Sequence, residues 1–227
     1  MLHLVKINYL KHEVLKMSST ENQKTSVTVT AEETPNPSTF KFLFSHSTYD
    51  TNSLDWIDAN KQQGFTFNQI EETDISPLAQ KLFGFPWISS VYITNDFLTV
   101  TKQDWVDWKA LAKPLAGLIQ EHIQGGGQII QKAPTRIISD NDINSNLDLA
   151  TDTEIVKKIK KVLREEIKPI VAMDGGDVAF HSFENQKLMI QMKGACKGCP
   201  SSQATLREGI EVRLKQAIPE IISVDAI

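Results

Sequence analysis

The stretch Gly194-Ala195-Cys196-Lys197-Gly198-Cys199-Pro200 holds the only two cysteines of the chain, two residues apart. Two thiols at that spacing can chelate one metal centre or close one disulfide. They follow an alternating apolar run (Leu188, Ile190, Met192) and precede a helical pattern. Cys199 at the mouth of a helix faces unpaired amides and the positive end of the helix dipole, and Lys193 and Lys197 add positive potential. That placement predicts thiolates. Gly194 and Gly198 leave room for the backbone to approach a bulky ligand, and Pro200 stiffens the exit.

Three uses compete for this pair. A thioredoxin-like dithiol also lies between a strand and a helix, but that fold needs more elements than the 28 residues after Cys199 allow. Two unliganded thiols in a loop are the bland reading. Metal binding is favoured, with one difficulty: structural zinc sites and common iron–sulfur clusters take four protein ligands. This chain offers two. His181, on the preceding hairpin, could fold toward them; His46 and His122 lack ligand-spaced companions and read as surface or core residues. A second copy of the chain is the simplest completion, since two loops meeting across a two-fold axis bring four thiolates together. A centre held only at such an interface is exposed and readily released, which suits a donor better than an electron-transfer site.

The elements that must position this loop begin at Asp152 or Thr153, either of which can cap a helix bearing Ile155, Ile159, Val162, Leu163 and Ile167 on one face. Lys157, Lys158, Lys160 and Lys161 read as its solvated side, and Pro169 as its end or kink. Met173-Asp174-Gly175-Gly176-Asp177 predicts a tight turn, because paired glycines reach backbone angles that strain other residues. Val178 to Phe183 and Leu188 to Lys193 form a hairpin around Glu184-Asn185-Gln186. Ser201 or Ser202 caps a helix through Leu206, Ile210, Leu214 and Ala217, which Pro219 stops. Residues 221–227 make a short last strand.

The preceding part reads as a separate module. Residues 18–34 are polar and predict disorder up to the first strand. Thr34-Pro35-Asn36-Pro37 is a turn, and Phe40 to Phe44 a strand by alternation. A short helix is expected over 54–60. Ser76 caps a helix that starts at Pro77 and stops at Gly84. Val91 to Thr94 and Phe97 to Thr101 form a hairpin around Asn95-Asp96. Thr101 and Asp104 resemble a capping box before a long helix with Trp105, Trp108, Leu111, Leu115, Leu118 and Ile119 on its apolar side. Gly125-Gly126-Gly127 ends that helix and opens a linker; a phosphate loop would need a strand before it and a helix after.

Composition excludes several classes. The chain has 227 residues, 41% hydrophobic, with a formal charge of -4. Residues 1–150 carry 12 Lys/Arg against 17 Asp/Glu and residues 151–227 carry 12 against 11, which argues for two modules. No basic aromatic stripe suggests nucleic acid, and no apolar run approaches the roughly 18 residues of a membrane span. Two cysteines make no secreted disulfide framework, so a reducing cytosol is the simplest compartment. Met17-Ser18-Ser19-Thr20 reads as a true start, with residues 1–16 upstream of it.

Ile167-Lys168-Pro169, Asp174-Gly175-Gly176-Asp177-Val178, the cysteine stretch, Gly209-Ile210-Glu211 and Ile218-Pro219-Glu220 together resemble the NifU C-terminal domain, the Nfu-type iron–sulfur scaffold. Residues from Thr34 through the helix ending near Ile123 are similar to the Nfu N-terminal domain, on Pro35, Pro37, Phe40 and the 91–101 hairpin. The resemblance implies a non-enzymatic carrier. Cys196 and Cys199 would ligate a [4Fe-4S] cluster bridging a homodimer, which receives it from upstream assembly machinery and passes it to recipient apoproteins. The alternatives are a dithiol oxidoreductase and a zinc-bridged structural dimer. The fold expected is α+β: two small α/β-layered domains joined by a flexible linker. The divisions are a disordered tail 1–33, a first domain 34–124, a linker 125–151 and a cluster-binding domain 152–227. The compartment is cytoplasmic, with the mitochondrial matrix as alternative.

Overall fold

The computed structural model describes residues 27–46, 64–131 and 146–227. The helix expected over 54–60 and the reading of residues 1–16 lie outside them. The fold is α+β, in two modules with separate apolar cores.

The first module is a five-stranded antiparallel sheet in the order β1-β2-β5-β4-β3. Its strands are β1 (Val27–Glu33), β2 (Thr39–His46), β3 (Phe65–Phe67), β4 (Ile88–Ile93) and β5 (Phe97–Lys102). Alternation sends Phe42, Phe44, Val91, Ile93, Leu98 and Val100 to one face, where helix α2 (Trp108–Gln124) covers them with Trp108, Leu115 and Ile119. Helix α1 (Pro77–Leu82) is capped as expected, the Ser76 hydroxyl accepting from the Ala79 amide at 3.0 Å.

Three expectations change here. Residues 27–33 are a strand: Val27 and Val29 are buried and alternate with exposed threonines, a short period-2 signal that the surrounding polar composition masks. Gln120 and Gln124, one turn apart on α2, fasten this edge strand, with Val29 N to Gln120 Oε1 at 3.1 Å and Gln124 Nε2 to Val27 O at 2.8 Å. Helix α2 starts later than the Thr101/Asp104 pattern suggested. Asp107 is its cap, accepting from Lys109 N at 3.1 Å, which leaves Trp105 outside the helix and 69% exposed. Beyond α2, Ile129 and Ile130 leave the expected linker stretch and join the first core, with Ser76 Oγ donating to Ile129 O at 2.6 Å.

The second module opens with α3 (Glu154–Val162), a π-helical turn (Leu163–Ile167) and α4 (Lys168–Met173). Pro169 does not end the helix; the wider turn before it absorbs the missing hydrogen bond and the ring clash. Strands β6 (Gly176–Glu184) and β7 (Lys187–Gly194) make the expected hairpin, with Asn185 and Gln186 at positive φ in its two-residue turn. Helix α5 (Pro200–Ala217) then crosses over to β8 (Ser223–Ala226), parallel to β7. Its cap residue is Cys199 itself, not Ser201 or Ser202, and Pro200 stands in the first turn, where no amide hydrogen is required.

Residues just before α3 are also held. Asn146 pairs with the open edge of β6, Nδ2 to Val178 O and Phe180 N to Oδ1, both at 2.7 Å. Lys160, expected on the solvated side, is buried; its ammonium donates to Asp152 Oδ2 at 2.7 Å and to Leu147 O at 2.9 Å.

Candidate metal centre

Three glycines build the floor beneath the cysteine loop. Gly175 takes φ +77°, and its carbonyl accepts from the Ala195 amide at 3.0 Å. A Cβ on Gly176 would stand 2.1 Å from Cys196 Sγ, so this position must be glycine for the thiol to lie where it does. Gly194, at φ +60°, turns the chain out of β7, and a Cβ there would meet Gly175 O at 2.5 Å. The Asp-Gly-Gly-Asp turn and the cysteine loop are therefore one unit, packed backbone to backbone.

No disulfide joins Cys196 and Cys199, which are 6% and 1% exposed. Cys196 belongs to the second core. Burial, with the Asp174, Cys199 and Asp177 charges, pushes its thiol up to about 12. The expectation of a thiolate is overturned for this residue: desolvation and two nearby carboxylates outweigh the lysines. Lys197 turns away, its ammonium on Asn68 Oδ1 at 3.4 Å. His181 is exposed on β6, and among the described residues no group of three or more His, Cys, Asp or Glu can hold a metal. Among the described residues the donor set is thus two thiols, half of what a tetrahedral zinc or a cubane cluster requires.

The first module reaches this unit through residues that sequence reading missed. Asn36 Nδ2 donates to the carbonyls of Ala195 (3.0 Å) and Lys197 (3.4 Å), on either side of Cys196. Thr99 Oγ1 donates to Gly175 O at 2.7 Å, and Lys41 Nζ to Met173 O at 3.0 Å. The Tyr92 hydroxyl donates to Asp177 Oδ2 at 2.5 Å, and Lys168 Nζ reaches the same oxygen at 3.1 Å. Burial, then the Asp177 charge, holds the Tyr92 phenol well above its usual range. Lys41, Thr99 and Tyr92 are register partners across β2, β5 and β4, a polar row on the sheet face opposite α2.

A paired-thiol loop on a small α+β domain, preceded by a second α+β domain, defines the class: a two-domain protein that carries two neighbouring thiols at a helix mouth. Residues 159–225 match the family described as NifU-like domain, and residues 29–126 the family described as scaffold protein Nfu/NifU N terminal. A NifU-like protein of Schizosaccharomyces pombe is 33% identical over 201 residues, 88% of this chain and 72% of that one. The mitochondrial NFU1 iron-sulfur cluster scaffold homolog of Drosophila willistoni is 31% identical over 204 residues, covering 90% of this chain and 65% of its own length. The chain belongs to the Nfu/NifU-like family. A solved NifU-like protein from Saccharomyces cerevisiae, at 24% identity and a TM-score of 0.40, covers 51% of this chain and 93% of its own.

Proposed function

We propose that this protein is a non-catalytic iron–sulfur cluster scaffold and carrier. Two copies contribute Cys196 and Cys199 each, hold one [4Fe-4S] cluster between them, and hand it to recipient apoproteins. The observation that carries this reading is the half-complete donor set: two thiols on a glycine-built loop, with no third ligand among the described residues. A two-fold partner doubles the set to four.

The cluster is cargo, and its transfer is ligand exchange without redox change. On loading, each cysteine gives up its thiol proton as its sulfur takes a place on iron. On release, a recipient thiolate replaces it on that iron, and the displaced sulfur takes a proton back. Cys196 is buried, and burial first, then the Asp174, Cys199 and Asp177 charges, pushes its thiol up to about 12. The same environment argues against a dithiol oxidoreductase, whose attacking sulfur must be accessible and readily ionised.

Anaerobic reconstitution with iron and sulfide tests the assignment. Four iron and four sulfide per two chains are expected, with dimerisation on loading, loss of both after Cys196→Ala plus Cys199→Ala, and transfer to an apoprotein. Tight zinc binding without cluster transfer would support the zinc-bridged dimer and overturn the carrier. The names of the Drosophila relatives support a mitochondrial compartment for this chain over a cytoplasmic one; cell fractionation decides between them. No described helix is long and apolar enough to cross a membrane.

A further inference from the structure

We propose that the polar face of the first sheet is a receptor for the cysteine loop of its own chain, and that this docking competes with the second copy for the loop. The second half of the proposal rests on the carrier reading; the first does not.

A five-stranded sheet with α2 on one face leaves the other face to water unless something covers it. Here Lys41, Thr99 and Tyr92 on that face are 7%, 1% and 2% exposed. The turn and loop that carry the thiols lie over them, and Gly64 of the first module closes on the Tyr92 ring as well. The recognition is of backbone: Asn36 takes the Ala195 and Lys197 carbonyls, Thr99 takes Gly175, and Lys41 takes Met173. Asn36 is held for this task by its own turn, with Ser38 N donating to its Oδ1 at 3.0 Å and Thr39 N to its carbonyl at 2.9 Å. The Thr34-Pro35-Asn36-Pro37 segment is therefore a preorganised finger on the loop.

A shared cluster requires a second chain's loop to face Cys196 and Cys199 directly. Asn36 already occupies the carbonyls on both sides of Cys196, and both thiols are covered. The first domain must swing away before two loops can meet. The contacts suit a reversible latch: hydrogen bonds and one carboxylate–phenol pair, each of modest net strength in water.

The test uses the full-length chain. Cys199 alkylation by N-ethylmaleimide is followed by mass spectrometry in the wild type and in Asn36→Ala plus Thr99→Val. Losing the three hydrogen bonds to the turn and loop should raise the Cys199 rate about tenfold or more and increase the radius of gyration in solution scattering. Equal rates and equal scattering sink the proposal, as does wild-type protection that grows with protein concentration, which would mark docking between copies. Hydrogen exchange on the unmutated chain needs no variant to fold. After loading with iron and sulfide, protection over residues 90–100 should drop; unchanged protection with iron bound refutes the competition. If no iron binds, the carrier reading fails, while the alkylation result still decides the receptor.

Discussion

The two faces of the five-stranded sheet carry different kinds of information. The face under α2 is aromatic and aliphatic: Phe42, Val91, Leu98 and Val100 are fully buried there, and Phe40 (tilted) and Phe42 (edge-on) meet Trp108 with centroids 5.0 and 6.4 Å away. Apolar burial is strong and indifferent to partner detail, so this face sets stability. The opposite face is buried as well, but by Lys41, Thr99 and Tyr92, whose polar atoms meet single named acceptors on the second module. Its contribution is small per contact and exacting in geometry. One face holds the domain together; the other chooses what docks on it and can let go.

Breaking the first face should have the largest effect. Phe42→Ala removes a ring at the centre of the core, and about 3–5 kcal/mol of stability should be lost, read as a lower denaturant midpoint for the first module. A smaller loss there, at unchanged slope, would mean that the sheet is stabilised mainly from its polar side. Gly176→Ala comes next. Its Cβ would stand 2.1 Å from Cys196 Sγ, so the thiol or the loop must move, at about 2–3 kcal/mol confined to the second module. Iron bound per chain should fall while the first module's unfolding stays unchanged; wild-type iron content would show that the glycine floor does not set the thiol's position.

The same contrast explains what could be read from the sequence. The core face was legible because Phe40, Phe42 and Phe44 alternate, and Leu188, Ile190 and Met192 do so in the second sheet. The cysteine pair was legible as a candidate because two thiols two residues apart, the only two in the chain, stand out without any tertiary information. The helix start was misjudged because Thr101/Asp104 and Asp107 both offer caps, and only packing excludes Trp105 from the core. Lys41, Tyr92 and Thr99 occupy the alternate positions, which read as solvent-facing by the ordinary rule for a half-buried sheet. Their partners lie 76 to 132 residues away, and no local pattern signals that a distant turn will cover them. Asn36 read as a turn residue for the same reason, and its side-chain role 159 residues on was invisible.

The polar face yields a smaller effect. Tyr92→Phe keeps the ring against Phe97 and removes one hydroxyl from Asp177, which retains Lys168 at 3.1 Å and the Val178 amide at 2.8 Å. The expected loss is about 1.5 kcal/mol, the usual worth of a hydrogen bond to a charged acceptor. It should appear as weaker coupling between the two unfolding transitions rather than as damage to either core. A loss approaching that of Phe42→Ala would erase the distinction between the faces.

The smallest expected effect is on pH dependence, and its sign follows from the two groups held protonated at the junction. Cys196 titrates near 9.0 when unperturbed and is pushed up to about 12 in the fold; Tyr92, ordinarily near 10.0, is also raised. Between the ordinary and the raised values the unfolded chain has released these protons while the folded chain still holds them. Stability is therefore full below about pH 9 and falls as pH climbs toward 12, because the native state binds more protons than the unfolded one. Melting temperatures recorded from pH 7 upward should stay level and then decline. Tyr92→Phe removes one of the two protons, so its decline should be shallower and begin with Cys196 alone. Parallel slopes for wild type and variant would mean that the phenol is not sealed between the modules, and that the polar face is more open to water than the core face by more than hydrogen bonding alone implies.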